Sequence, residues 1–520
     1  MSRPGVGASL FAIFDSDWVV AVLCALVAAG LCAYRLTLHD VLLGVHGAAD
    51  GVFLGSAVQL AHGVKPYADY AYTYPPGGTL LLAPLGLLGR AIGTPDAMAA
   101  ARCLTALAVT LNAGLAAWCL RIRGRAGMLV AGLGLAVFPS AISADQSLSL
   151  ESFAALLCLV GILVIFAGEA APSRGRLTGG GLAFGLAGTI VIWAIVPMVL
   201  ALLFVLAILR SVRFTVALVL GFVLPMAPFA AYAPHAFFHQ VFGVQLGRGS
   251  AIAMVAVKER LLATTGLGGF TAFHAGPDAA LAAMAVFGAL VVAAFVAGRR
   301  DLGLMEWFVL VATVLVVAEL LVVRQYFANY SYFSGMFLAL LAGACVGSVA
   351  FGLDTWFVRR TSAEFGAASA AIVGVMLALS AGVFLQDRTF SARYLSSATN
   401  PAALIEAQVP KGRCVLEDSP TLALVADRFS PGTASCPTVV DAYGQWLALD
   451  ATHPPPNVSG VSSAVPAAWQ GWLARADYLV AVSPRSSYIP WTDALVAWFS
   501  THYHLVAGSP GLYVYTRTGP

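Results

Sequence analysis

Trp18-Val19-Val20-Ala21-Val22-Leu23-Cys24-Ala25-Leu26-Val27-Ala28-Ala29-Gly30-Leu31-Cys32-Ala33-Tyr34 runs without a charged side chain and ends at Arg35. As an α-helix it covers most of the ~30 Å hydrocarbon core of a bilayer, and in water it would expose apolar surface all round. The same pattern recurs along the chain. Of 520 residues, 60% are hydrophobic and 10% charged, and the mean hydropathy is +0.85. Soluble domains carry about 25% charged residues, so a soluble globular protein is excluded, as are disordered, collagen-like and coiled-coil chains. The composition predicts a polytopic α-helical membrane protein. The net charge of +3 comes with no basic stripe, which argues against nucleic acid as a partner. Lysine occurs only at Lys65, Lys258 and Lys411, an arginine bias that points to a GC-rich bacterial gene.

Further apolar runs lie at 97–120, 128–142, 152–166, 214–232, 279–296, 304–323, 332–351 and 367–384. Residues 179–209 are too long for one span and read as a hairpin of two short helices interrupted at Pro197. Residues 79–88 are short and follow Pro75-Pro76-Gly77-Gly78, so they read as dipping into the membrane without crossing it. Arginines cluster at Arg121/Arg123/Arg125, Arg174/Arg176, Arg210/Arg213, Arg299/Arg300 and Arg359/Arg360. All five clusters are cytoplasmic if the N-terminus is inside and 79–88 does not cross. This topology gives about 11 to 13 transmembrane helices. The first segment reads as an anchor rather than a cleaved signal peptide, because its apolar run is long and no A-x-A site follows. The expected location is the bacterial plasma (inner) membrane, multi-pass. Segments 35–76, 141–150, 233–278 and 324–331 then lie outside, with the tail.

Hydropathy drops near 386–396, so the expected domains are a membrane unit at 1–387 and an extracytoplasmic unit at 388–520. In the tail, apolar runs at 414–416, 478–482, 503–506 and 512–515 alternate with helical patterns at 421–427, 465–475 and 492–499. That alternation predicts a small α/β domain. Cys24, Cys32, Cys103, Cys119, Cys158 and Cys345 fall within spans as small apolar residues. Cys414 and Cys436 are the isolated pair in the tail, which reads as a disulfide in an extracytoplasmic compartment.

The first outer loop, 35–76, is richest in chemistry. It holds His39-Asp40, His46-Gly47-Ala48-Ala49-Asp50-Gly51, Gly63-Val64-Lys65-Pro66-Tyr67-Ala68-Asp69-Tyr70 and Tyr74-Pro75-Pro76-Gly77. Val45, Ala49, Val52, Phe53, Ala57 and Leu60 recur at helical spacing and predict a short amphipathic helix on the membrane surface. His46 and Asp50, four apart, would share its polar face. A carboxylate at the lipid boundary fits a general base; the plainer reading is that Asp50 only solvates the helix.

These motifs resemble the GT-C superfamily, the polyprenyl-phosphate-sugar-dependent glycosyltransferases that include protein O-mannosyltransferases, lipid A aminoarabinose transferases and actinobacterial envelope enzymes. The resemblance rests on the Asp50-Gly51 pair after the first span, on Gly63-x-x-Pro66-Tyr67-x-Asp69 and on Tyr74-Pro75-Pro76-Gly77. Phe237 to Arg248 followed by Lys258-Glu259-Arg260, and Arg324-Gln325-Tyr326-Phe327-Ala328-Asn329-Tyr330, extend it over roughly residues 15–385. It implies an acid in the first outer loop that activates the acceptor, by position Asp50 with Asp40 in reserve. It implies basic residues on the donor phosphate, from among Arg248, Arg324, Lys65, Lys258 and Arg260, with Tyr74 where several relatives carry a basic residue. Arginine suits the task because its fork binds phosphate bidentately; lipid-headgroup snorkelling is the plainer reading. Asp50 is followed by Gly51 and Val52 rather than a second acid, so the loop gives no support for a divalent metal, and no cofactor is assigned.

His46, Asp69, Asp145, Gln146, Glu151, Tyr326 and Tyr330 complete the candidate sugar- and acceptor-binding set. Charges at membrane depth are costly and often functional, although Asp145 also suits a helix cap. Glu306 and Glu319 share one span, with Glu319 nearer the outer face. His235 and His239 have zinc-like i,i+4 spacing but no third ligand nearby, and with Phe237 and Phe238 they read as an interfacial belt. The sequons at Asn329 and Asn457 are chance matches in a bacterial chain. Three functions remain in view. One is transfer of a sugar, arabinofuranose or mannose by the resemblance, from a polyprenyl-phosphate donor to an envelope glycan, glycolipid or protein, with inversion. The others are a transporter or flippase and a non-catalytic envelope scaffold. The tail either positions the acceptor or only caps the cavity.

Overall fold

The structure is a computed structural model describing residues 16–38, 41–138, 140, 147–168, 171–247, 256–267, 284–285, 288–289, 291–292, 302–323, 326–357, 401–433, 435–453, 455–456 and 458–518. Among them, six helices are long and apolar enough to span a bilayer: Asp17–Leu36, Thr94–Cys119, Ile192–Leu209, Val212–Tyr232, Leu304–Val322 and Ser331–Ser348. Leu150–Ile165 is a shorter apolar helix. The expected span at 367–384, most of that at 279–296 and the domain boundary at 386–396 lie outside the described residues.

The elements that frame the site are α1 (Asp17–Leu36), α2 (Ala48–Ala61), α3 (Gly77–Ile92), α4 (Thr94–Cys119), α5 (Gly124–Ala136), α6 (Leu150–Ile165) and α7 (Arg174–Ile190). The hairpin expected at 179–209 forms, but its break is at Val191, whose backbone is extended (φ −134°, ψ 142°). Pro197 sits in the first turn of the next helix, Ile195–Phe204, where its missing N–H is not needed. α7 lies directly on Val212–Tyr232: a Cβ at Gly181 would be 2.5 Å from the Phe214 carbonyl oxygen, and one at Gly185 only 2.2 Å from that of Leu218. Glycine allows this close backbone approach between apolar helices.

α3 begins and ends beside the C-terminal domain. Just before its start, the Thr73 hydroxyl donates to Asp441 at 3.4 Å. Just after its end, the Thr94 amide donates to Asp427 at 3.1 Å. Both flanks of α3 are thus tied to the same C-terminal domain. α4 starts beside that domain and carries Arg121 and Arg123 beyond its far end, roughly 39 Å away by helical rise. There Arg123 pairs with Glu306 at 2.6 Å, and Glu306 also accepts from the Gly303 amide at the start of Leu304–Val322.

The C-terminal domain is built on a four-stranded sheet of order β1-β2-β4-β3, comprising β1 (Val415–Glu417), β2 (Tyr478–Ala481), β3 (Tyr503–Ser509) and β4 (Leu512–Arg517). β1 and β2 run parallel with Leu416 opposite Leu479, and β2–β4 and β4–β3 are antiparallel. The three expected helices are Pro420–Val425, Ala464–Leu473 and Asp493–His502. Two more, Pro401–Gln408 and Ala442–Leu449, were not expected from the sequence; Asp441 caps the second by accepting from the Gly444 amide at 2.8 Å. Trp446 and Trp469 are fully buried at the centre of this domain. Cys414 and Cys436 form a disulfide.

The surface helix expected around Asp50 is corrected. α2 is buried from Asp50 to Gln59, enclosed by α3, α4 and the tail helix Pro420–Val425. The apolar spacing of Val52, Phe53 and Ala57 is real, but the remaining positions are small or are satisfied by the tail, so no polar face is left. His46 precedes the helix and its Nε2 contacts the Val41 carbonyl at 2.7 Å, so it does not share a face with Asp50.

Candidate functional site

Asp50 is 1% exposed and Arg102 wholly buried. Arg102 donates to Asp50 Oδ2 from Nε at 3.0 Å and from Nη2 at 2.6 Å, while its Nη1 donates to the carbonyls of Val41 and Leu42 at 3.0 and 2.8 Å. Asp50 Oδ1 accepts the Leu148 amide at 2.9 Å. One ion pair thus ties together the turn after α1, helices α2 and α4, and the segment that leads into α6. A pair this deep is stable only because its remaining hydrogen-bonding capacity is met, as it is here.

Gly51, the next residue, lies under the tail. Its amide donates to Thr421 Oγ1 at 3.0 Å, and that hydroxyl donates to the Gly47 carbonyl at 2.6 Å. A Cβ on Gly51 would stand 2.1 Å from the Thr421 amide nitrogen, so any side chain is excluded. Further along α2, Gln59 donates to the Ser430 carbonyl at 2.9 Å and accepts the Gly432 amide at 3.0 Å. The disulfide braces this docking segment, which lies between Cys414 and Cys436. The missing second acid after Asp50 therefore has a structural reason, since the tail backbone occupies its place.

A cavity of about 460 Å³ lies between the two units. The membrane unit lines it with Gly47, Ala48, Ala49, Val52, Phe53, Tyr74, Glu151, Phe327, Asn329 and Tyr330. The C-terminal domain adds Asp418, Pro420, Asp441, Ala442, Tyr443, Pro455, Pro456, Ser487 and Tyr488. Among the described lining residues are three carboxylates and no lysine or arginine. Asp50 stands behind this wall rather than in it.

Each carboxylate is held in place. Glu151, 2% exposed in the first turn of α6, accepts from Ser149 Oγ on Oε2 at 2.9 Å and from Asn329 Nδ2 on Oε1 at 3.0 Å. Asp418, at the end of β1, accepts the Val482 amide at 3.1 and 3.2 Å. Burial pushes the Asp418 carboxyl up to about 6, with the Ser486 hydroxyl and the Val482 amide pulling the other way. Its neighbour Glu417 is raised further, first by burial and then by the Asp418 charge. Tyr488 is raised by burial and by the charges of Asp441 and Asp418, which places its hydroxyl within their field. A site whose acids are this deeply buried favours groups that donate hydrogen bonds over groups that bring more negative charge.

Of the residues expected from the sequence, Glu151, Tyr74 and Tyr330 meet at this cavity. Tyr330 packs on Trp193, ring centroids 4.0 Å apart. Tyr326 is one turn away and its hydroxyl bonds Ser331. Lys65 is exposed, with its ammonium 5.4 Å from the Tyr232 ring centroid and its amide bonded to Asp69 at 2.7 Å. Lys258 is exposed. Arg260 is buried, and its Nη1 serves the carbonyls of Leu321 and Val323 at the end of Leu304–Val322. These contacts tie its guanidinium to the end of that helix, and it does not line the cavity described above. Phe237 is likewise core rather than belt, 5.1 Å from Tyr67, while His235 and His239 are exposed. Asp40, Asp145, Gln146, Arg248 and Arg324 lie outside the described residues.

Sequence reasoning missed Arg102, Asp418, Asp441, Tyr443 and Tyr488. Arg102 had a signal, being a single charge inside an apolar run that must find a partner. Asp418 also had one, an acid at the carboxyl end of a parallel strand. Asp441 and Tyr443 had none, because their helix was not recognised, and Tyr488 lies in a turn that carried no motif.

No family model matches the chain, and no curated protein matches it. In structure it is similar to ArnT from Cupriavidus metallidurans bound to undecaprenyl phosphate, with a TM-score of 0.61 and 16% identity, over 97% of this chain and 100% of that one. It is similarly close to ArnT from the same organism in the apo state, with a TM-score of 0.59 and 16% identity, over 96% and 98% of the two chains. The likeness spans membrane unit and tail together, and it is a likeness of fold.

Proposed function

We propose that the protein is a polyprenyl-phosphate-sugar-dependent glycosyltransferase of the bacterial plasma membrane, working on the extracytoplasmic face. The observation that carries this reading is the acid-lined cavity at the junction of membrane unit and tail, in a fold shared end to end with ArnT, which has been solved with undecaprenyl phosphate bound. The arginines beyond the far end of α4 support placing the tail outside, since they mark the cytoplasmic side.

Glu151 is the proposed general base. It faces the cavity, forms no ion pair among the described residues, and is oriented by Ser149 and Asn329. It takes the proton of the acceptor hydroxyl as the hydroxyl oxygen bonds to the anomeric carbon. The bond from that carbon to the donor phosphate oxygen breaks, and the electron pair leaves with the lipid phosphate. One displacement inverts the anomeric carbon. Asp50 is a positioning residue in this account: it anchors Leu148, three residues before Glu151. Arg248 and Arg324 remain the proposed phosphate partners from the resemblance, and arabinofuranose and mannose the proposed sugars. Supplying membranes that contain the protein with radiolabelled decaprenyl-phosphate arabinofuranose and mannose tests the reading. Labelled product that depends on the protein supports it, and no transfer from either donor or from other lipid-linked sugars contradicts it.

A further inference from the structure

The cavity's two walls differ in chemistry. The membrane unit supplies mostly apolar and aromatic groups around Glu151, while the C-terminal domain supplies Asp418, Asp441, Tyr443 and Tyr488. We infer that the C-terminal wall is the acceptor subsite and that it takes an uncharged, polyhydroxylated sugar rather than a phosphorylated or acidic glycolipid. This rests on the transferase reading for the word acceptor, but the binding chemistry stands on the wall itself.

A lipid-linked donor reaches the cavity along the membrane helices, so the tail wall is left for the second substrate. Asp418 and Asp441 are 2% and 6% exposed and fixed by amides of their own domain, Val482 and Gly444. Fixed carboxylates accept hydrogen bonds from sugar hydroxyls without reorganising. With Glu151 opposite, they also make the cavity repel a third-party anion, and no described lining residue is a cation that would offset this. The rings of Tyr443 and Tyr488 line this wall and meet edge to face, 6.1 Å apart at 79°, an aromatic pair suited to the apolar side of a sugar ring. The volume lies within the range of small-ligand sites, about 300–1,000 Å³.

The test is ligand binding by the purified full-length protein in nanodiscs, followed by saturation-transfer NMR and calorimetry without any donor. The probes are linear arabinofuranosyl and mannosyl tetrasaccharides and the terminal phosphomonoesters of the same two compounds. At least one neutral tetrasaccharide is expected to bind with a Kd of about 1 mM or tighter, and its phosphomonoester about tenfold more weakly. Asp441→Asn keeps the helix cap, since asparagine caps as well as aspartate. Combined with Asp418→Asn it is expected to bring the two affinities within about threefold. Tyr488→Ala should weaken the neutral ligand about fivefold. Phosphomonoesters binding as tightly as the neutral sugars, or neither neutral sugar binding, overturns the inference. The two proposals fail separately: sugar binding without transfer sinks the transferase reading alone, and transfer to an acceptor that ignores these variants sinks the subsite alone.

Discussion

Arg102 closes on Asp50 with two of its nitrogens, at 3.0 and 2.6 Å on one carboxylate oxygen, and the other oxygen holds the Leu148 amide at 2.9 Å. Both side chains are buried. Removing one partner leaves an uncompensated charge, which costs about 3–5 kcal/mol. Asp50→Asn and Arg102→Met are each expected to lower thermal stability by that order. The double variant should recover much of the loss, because both charges leave together. Thermal unfolding of the purified variants checks this; additive losses would show that the two residues do not act as a pair.

Gly51→Ala is expected to undock the C-terminal domain. Its Cβ would be 2.1 Å from the Thr421 amide nitrogen, and the atom met is backbone, which cannot swing aside. Overpacking of this kind costs about 1–3 kcal/mol. Limited proteolysis should release the tail faster from the variant than from wild type, with unchanged membrane insertion. Equal cleavage rates would mean that this contact does not hold the tail.

The fold was largely legible in the sequence, and the site only partly. Long runs such as 18–34 admit few alternatives, and the strands at 478–482 and 512–515 stood out because turn residues bound them. α2 was misread in its surroundings, since apolar spacing shows that a helix has a buried face but not that a second domain covers the rest. For the same reason the burial of Asp50 was not legible. Its partner lies fifty-two positions away in another helix, a pairing that spacing along one helix cannot reveal. The cavity itself joins Gly47, Val52, Glu151 and Tyr330 to Asp418, Asp441 and Tyr488, and contacts of that separation are written only in three dimensions.

The Asp418 carboxyl gives a pH prediction. Its value rises from 3.8 to about 6 on folding, so the folded state binds more protons than the unfolded one in between. Stability from this group is full below about 4 and is lost as pH rises through about 6. Asp418→Asn should therefore be matched with wild type at pH 4 and gain on it as pH rises to 7, by about 3 kcal/mol. Thermal unfolding at pH 4, 5, 6 and 7 measures the difference. A gap that shrinks toward pH 7 would contradict the assignment. Asp450, held down to about 2 against desolvation by Thr452 and the Ser462 amide, acts in the opposite sense and only below about 4.

Replacing Cys414 and Cys436 together by serine opens a loop with a sequence separation of 22 and should cost about 3 kcal/mol. The same loop carries Ser430 and Gly432, which hold Gln59. The loss should therefore appear both as a lower unfolding temperature and as faster proteolytic release of the tail. A stability loss with no change in release would confine the disulfide's role to its own domain.

The most direct test of the central claim compares sugar transfer by wild type, Glu151→Gln and Asp50→Asn, each normalised to folded protein in membranes. Glutamine keeps the shape of Glu151 but cannot take a proton, so transfer should fall by about 10²–10⁴-fold with the amount of folded protein unchanged. Asp50→Asn should lose folded protein first and retain measurable transfer per folded molecule. Full transfer by Glu151→Gln, with transfer abolished in folded Asp50→Asn, would return the base to Asp50 and contradict the account.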